Sequence, residues 1–372
     1  MGQTMFARTT VVLLALFGGA VTAVPQEMRP GVWAAPRMES LPLPKMGYQV
    51  YMVGEMHGLE ENADFQLRYL TEIHSASGLR DVALEEKSVY EEAAQAFVDG
   101  KSDALPEALC LRAGVLDGIR RLNAAPGHAR FRVHLTDIDS PAGAIREHLT
   151  VIRKRIPSSA GVSIPVATEI EERGLETVKQ FQRFRMDART RSELRTVEHS
   201  IRAYRDGLEV GTGTPKGSPY LEDREQAVAS NIEDLIRIEK IRSLLVLYGC
   251  DHVSRTMRRD GGPNRDQPLA PVALRLERAG IKTVSVVTFP LAGRSFWRGR
   301  ESELPWTAGD GHLESGETLD KVLSAAPEAS FLYIDTKRQH ALLPSEDISH
   351  YAVDGFLLFR SAAPMTNRCA TH

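Results

Sequence analysis

Short, almost uninterrupted apolar runs recur along the chain: Val50 to Val53, Val82 to Leu84, Phe131 to Leu135, Leu244 to Tyr248, Val284 to Phe289, Phe331 to Ile334 and Phe356 to Phe359. Each is long enough for a strand and too short for a helix. Runs apolar at nearly every position, such as "LLVLY", suit strands covered on both faces by helices, whereas "FRVHL" alternates and belongs nearer an edge. Longer amphipathic stretches lie between the runs. Phe65, Tyr69 and Ile73 fall four apart with Leu70 beside them, so a helix carries the chain from the first run to "DVALEE". The pattern predicts an α/β fold: a mostly parallel β-sheet flanked by helices, with an inserted helical segment.

The insertion is expected at about residues 160–216, where Leu194, Val197, Ile201, Tyr204 and Leu208 repeat at alternating spacings of three and four. It reads as a surface-packed element, and "GTGTPKGSP" closes it as a linker. That segment lacks the residue order of a phosphate loop. Residues 1–23 read as an export signal: Arg8, an apolar run from Val11 to Phe17, then small residues around Val21-Thr22-Ala23. The run is too short for a comfortable membrane span, so a periplasmic or secreted protein with no stable span after cleavage is expected. Residues 24–47 read as an N-terminal extension, 48–362 as one α/β domain and 363–372 as a tail. A net charge of −3 gives no reason to expect a nucleic-acid partner. With only Cys110, Cys250 and Cys369, disulfides do not define the fold and no C-x-x-C pair points to a zinc ribbon.

Function in an open parallel sheet concentrates beyond the carboxyl ends of the strands. Four of the runs end in polar residues: Glu55 and His57, Glu85 and Glu86, Asp137 and Asp139, Asp251 and His252. Gly54 and Gly249 each precede a histidine by three, where a glycine lets the chain bend as the strand ends. Two imidazoles and their carboxylate companions over one edge supply the parts of a general acid/base site or the ligands of a divalent ion. In "DREQAVASNIEDLI", Arg224, Ala227 and Asn231 share a helix face. That places a guanidinium either in the cleft, beside Glu55 or Glu85, or in a local surface pair with Glu225 or Asp223.

Taken in order, "GEMHG", "ALEE", "REQAVASNI" and "LYGCDHV" resemble the superfamily that joins erythromycin esterases, ChaN-type haem-binding lipoproteins and Tiki/TraB proteins. The resemblance runs from about Tyr48 to Val253, and "YAVDGFLLFRSAAP" is similar to the closing strand of the esterases. It implies an α/β sheet with Glu55, His57, Glu85, Arg224 and His252 as site residues and Asn231 in the helical motif. "GEMH" is nearer the ChaN and Tiki form, and Cys250 stands where Asn is common.

The expectation is a hydrolase that activates water for attack on an ester or amide of a small molecule or peptide, with Glu55, His57, Glu85, Arg224 and His252 as its catalytic residues. Asn231 and Asp139 are candidate substrate contacts. In a metal version His57, His252 and Glu55 bind a divalent ion; in a metal-free version a His or Glu is the base and Arg224 meets the oxyanion. Neither G-x-S-x-G nor H-E-x-x-H is present, so water is the expected attacking group. The alternative is a periplasmic haem- or metal-binding protein without turnover.

Overall fold

The computed structural model describes residues 24–127, 130–206, 218–259, 268–297, 300–303, 311–339, 341–342 and 352–365. The expected export signal, most of the glycine-rich linker and the end of the tail lie outside the described residues. Chain order gives strands β1 (Gln26–Arg29), β2 (Val32–Ala35), β3 (Val50–Glu55), β4 (Asp81–Lys87), β5 (Arg132–Asp137), β6 (Leu244–Gly249), β7 (Arg258–Arg259), β8 (Pro268–Leu269), β9 (Thr283–Pro290), β10 (Arg294–Trp297), β11 (Arg300–Glu303), β12 (His312–Leu313), β13 (Phe331–Asp335), β14 (Ala341–Leu342) and β15 (Gly355–Phe359). The helices are α1 (Glu61–Ser77), α2 (Glu91–Val98), α3 (Ala113–Ala124), α4 (Ala142–Arg155), α5 (Ile170–Phe181), α6 (Ala188–Arg205), α7 (Ser218–Arg237), α8 (Val272–Arg278) and α9 (Leu319–Ser324).

One sheet of nine strands runs in the order β1-β2-β13-β15-β9-β3-β6-β4-β5. From β15 to β5 every pairing is parallel. The other pairings, of β13 with both neighbours and of β1 with β2, are antiparallel. Every residue of the central strands β3, β6 and β9 is buried, because helices cover both faces. Tyr51, Val53, Leu245 and Leu247 pack against α1, α2 and α3 on one face. Met52, Val246 and Tyr248 pack against α7, α8 and α9 on the other. The alternating run lies in β5, which is an edge strand.

Residues 24–47 differ from the expected extension. Val32, Trp33, Ala34 and Ala35 pair with β13, so β1 and β2 belong to the sheet. These strands are too short to show a period, which is why the sequence did not announce them.

The expected insertion holds α5 and α6, and α4, which precedes its expected start near residue 160, packs with them in one helical subassembly whose apolar core includes Ile145, Leu149, Val178, Phe181, Leu194, Val197 and Ile201. Asp187 caps α6 by accepting a 2.7 Å hydrogen bond from the Thr190 amide. The subassembly is joined to the sheet domain through buried charge. His148 of α4 pairs at 2.6 Å with Asp139, just beyond β5, and lies 3.9 Å from Glu193 of α6. Within the sheet itself, His134 of β5 pairs at 3.0 Å with Asp81 of β4.

Burial disfavours the imidazolium of each, but the carboxylates outweigh it and raise both histidines from 6.5 to about 9: Asp139 and Glu193 around His148, Asp81 and Glu91 around His134. A raised folded-state value gives stability that is complete below pH 6.5 and is lost as pH rises to about 9. Shifts of this size correspond to roughly 3 kcal/mol per histidine at most. Denaturant unfolding of the protein is therefore expected to show stability falling between pH 6.5 and 9, with a shallower fall in His148→Gln. A flat profile in that window contradicts the assignment.

Candidate active site

Paired register brings the polar strand ends together. Gly54 lies opposite Tyr248 and Glu55 opposite Gly249 in the β3–β6 ladder, so the two G-x-x-H turns leave the sheet side by side. Gly249 has a φ of −56°, which any residue adopts, so bending is not the reason for this glycine. Space is the reason. A Cβ on Gly249 would stand 2.7 Å from His57 Nε2, and one on Gly54 would stand 2.9 Å from the Cys250 Cα and 2.5 Å from Val253 Cγ2. Each turn thus occupies the room that the other strand's glycine leaves open.

In β4 the pairing with β5 shifts between Leu84 and Lys87, inserting one residue at Glu85-Glu86. Strict alternation would send consecutive side chains to opposite faces, whereas a bulge re-aims them. Both carboxylates reach one guanidinium: Arg112 Nη2 lies 3.8 Å from Glu85 and Nε 3.6 Å from Glu86.

Glu85 is the centre of the cluster. One oxygen accepts from Arg224 Nη2 at 2.6 Å and lies 3.3 Å from His252 Nε2. The other accepts the Gly249 backbone N–H at 2.6 Å and lies 3.8 Å from His57 Nε2. Each imidazole is backed on its far side by another carboxylate: His57 Nδ1 by Glu55 at 3.0 Å, and His252 Nδ1 by Glu225 at 2.6 Å. The second pair is out of line for a hydrogen bond and acts as an ion pair. The result is a chain of alternating carboxylates and imidazoles, with both Nε2 atoms turned toward Glu85. His252 is 5 % exposed, whereas the His57 side chain is 26 % exposed.

Burial alone would protonate Glu85, but His252, Arg224 and His57 hold it well below the usual carboxylate range. Glu55 is likewise lowered against burial, by Arg112 and then His57. His252 would be neutral on burial alone; Glu225 and Glu85 raise it to about 10, so it is an imidazolium at neutral pH. Burial lifts Glu86 to about 7, with Arg112 opposing. Arg224 is raised by Asp137 and Glu85 against its own burial.

The structure therefore brings Glu55, His57, Glu85, Arg224 and His252 into one cluster. Arg224 joins the cluster and is not in a local surface pair: it bonds Glu85 and grips Asp137 at 2.9 and 2.6 Å, while Glu225 turns to His252 and Asp223 to His199. The other two candidates lie elsewhere. Asn231 accepts from Thr196 at 2.7 Å and donates to the Thr136 carbonyl at 3.0 Å, tying α7 to α6 and β5. Asp139 is fully buried, held by His148, the Val89 amide at 3.0 Å and Ser88, so it braces the insertion. Sequence reasoning passed over Arg112, Gln66 and Glu225 as site residues. Glu225 had a signal, since it adjoins Arg224 in the helical motif. Arg112 comes from a 3-10 turn, Glu107–Arg112, that no strand end or motif marks.

Of the three residues expected to hold a divalent ion, Glu55 is already met by the Arg112 guanidinium, while His57 and His252, each backed by a carboxylate at Nδ1, turn Nε2 toward Glu85. Among the described residues no group of three or more His, Cys, Asp or Glu side chains is arranged to hold a metal ion. Cys250 is not in a disulfide and packs half-buried against the core, whereas Cys110 is disulfide-bonded. No described helix is long and apolar enough to cross a membrane.

No family model and no curated protein matches the sequence. Solved structures do match the fold. A variant of erythromycin esterase EreC in its open conformation superposes with a TM-score of 0.60 at 12% identity, over 86% of this chain and 92% of that one. This chain shares that fold. A Bacillus cereus protein shares it, with a TM-score of 0.60 at 14% identity over 86% of this chain and 90% of that one. So does a succinoglycan biosynthesis protein, with a TM-score of 0.59 at 11% identity over 85% and 88%. In this chain the shared fold carries its charged cluster at the carboxyl edge of the parallel strands.

The Glu225–His252 pair gives a direct check on the cluster. Removing one member of a buried ion pair costs roughly 3–5 kcal/mol, because the remaining charge loses its partner. Glu225→Ala is expected to lose that much in denaturant unfolding at pH 7. A loss below about 1 kcal/mol contradicts a buried imidazolium at His252.

Proposed function

We propose that the protein is a hydrolase that uses His57 as a general base to activate water against an ester or amide carbonyl. The reading rests on one observation: His57 Nδ1 is held by the buried Glu55, which turns Nε2 of this part-exposed ring toward Glu85, at 3.8 Å. Two acceptors at that separation can share one water lying to the side, about 2.8 Å from each. The imidazole takes a proton from that water as the oxygen attacks the carbonyl carbon. The new C–O bond leaves a tetrahedral oxyanion, and the part-exposed guanidinium of Arg224 supplies positive charge to it. When the intermediate collapses, His57 returns the proton to the leaving oxygen or nitrogen. Glu85 stays ionised throughout, held by Arg224, the Gly249 amide and the His252 imidazolium.

No metal is required, since proton transfer and oxyanion stabilisation are both assigned to side chains. The erythromycin esterase among the structural neighbours supports this reaction class, and the substrate is placed no more narrowly than a small molecule or peptide with such a bond.

Turnover of a panel of esters and amides is expected to survive EDTA and to fall about 100-fold or more in His57→Gln and in Glu85→Gln. Wild-type turnover should also fall as pH approaches 10, where His252 loses its proton. Activity abolished by EDTA and restored by a divalent ion would overturn the mechanism. No hydrolysis at all, together with a strong visible band on mixing with haem, would move the protein to the binding class.

A further inference from the structure

Glu55 is held by donors from three separate elements. It closes β3 at 4 % exposure, so water does little to solvate it. One oxygen faces His57 Nδ1 at 3.0 Å and accepts from Arg112 Nη1 at 2.5 Å; the other accepts from Gln66 Nε2 of α1. We infer that Arg112 and Gln66 are positioning residues that lock Glu55 as an acceptor and thereby hold the His57 proton on Nδ1, leaving Nε2 as the basic nitrogen. The inference rests on His57 being the base.

The argument is one of donors and acceptors. An ionised carboxylate has no hydrogen to give, so a ring nitrogen hydrogen-bonded to it must be the donor. In neutral imidazole that fixes the tautomer. A protonated Glu55 reverses the direction: its O–H donates to Nδ1, the ring proton moves to Nε2, and the nitrogen facing Glu85 can no longer accept from water. Burial favours that reversed state, and a permanent cation opposes it. Arg112 is such a cation, because guanidinium does not deprotonate in proteins. Its three nitrogens each meet a different carboxylate, on Glu55, Glu85 and Glu86, so it also fixes the ends of β3 and β4 relative to each other.

Gln66 supplies an independent observation. It is 1 % exposed, and while its amide nitrogen donates to Glu55, its Oε1 has no hydrogen-bond partner among the described residues. A buried acceptor left unmade costs about 1–3 kcal/mol. The orientation is set by Glu55, which accepts only from the nitrogen side. An amide that gives up one hydrogen bond to complete another is consistent with a demand placed on Glu55 by the site.

The test reads the tautomer without substrate. The full-length protein is labelled with 15N in its histidine rings, and His57 is identified by its absence in His57→Gln. Spectra are recorded at a pH above the titration of that signal. In the wild type the proton is expected on Nδ1. In Arg112→Met, with circular dichroism unchanged, it is expected to move to Nε2, with ester or amide turnover falling about 100-fold or more. Arg112→Lys should recover only part of the Nδ1–H form, since one ammonium cannot reach three carboxylates. Should Arg112→Met not fold, Gln66→Leu is read in the same way, and a shift toward Nε2–H is expected. An Nε2–H wild type, or a folded variant that keeps the proton on Nδ1, overturns the inference. If the tautomer moves while hydrolysis is absent in every form, the positioning role stands and the hydrolase reading falls.

Discussion

The carboxylate of Glu85 is the interaction on which the rest of the site depends. An ionised group in so little water is tolerated only when its charge and lone pairs are met, and five groups meet them: Arg224, the Gly249 amide, His252 and, at a longer reach, His57 and Arg112. Those groups come from α7, from the end of β6, from the turn after it, from the turn after β3 and from the 3-10 turn that ends at Arg112. One buried charge therefore sets the spacing of strand ends that are remote in sequence. The β-bulge in β4 aims Glu85 there, and the glycines at the ends of β3 and β6 leave the space for it to be reached.

Helix α7 carries the second half of this arrangement. Arg224 and Glu225 are consecutive, yet the first turns to Glu85 and Asp137 and the second to His252, because the helix lies across the carboxyl edge. The insertion holds α7 in that place. Along the α6–α7 interface His199 pairs with Asp223, Thr196 bonds Asn231, and Ser192 and Arg195 both reach Asp234. These positions on α6 fall at i, i+3, i+4 and i+7, so one face of the helix forms a ladder to the helix that supplies the Arg224 guanidinium. The insertion is thus a brace for the site as well as a packed surface element.

Much of this was legible in the chain. Wholly apolar runs identified the doubly covered strands because burial on both faces leaves no alternation, and polar residues ending those runs identified the edge where chemistry collects. The strands β1 and β2 were not legible, being too short for a period and held by pairing with β13. Arg112 and Gln66 were illegible for another reason. Their partner Glu55 lies on β3, and a contact made across a fold has no spacing rule in sequence. Asn231 and Asp139 show the converse. Each stands where a functional residue is expected, but hydrogen bonds to neighbouring elements consume its polar atoms. A polar residue at a strand end or in a motif signals demand for a polar partner, and only the fold decides whether that partner is a substrate or another side chain.

The central claim is that Glu85 and Arg224 form a coupled buried pair that holds α7 over the strand ends. A double-mutant cycle of unfolding free energies, with Glu85→Gln, Arg224→Met and the combined variant, measures that coupling most directly. An interaction energy above about 1 kcal/mol is predicted, as for residues sharing one charged network. Effects that add to within about 0.5 kcal/mol would contradict it, since independent sites behave that way.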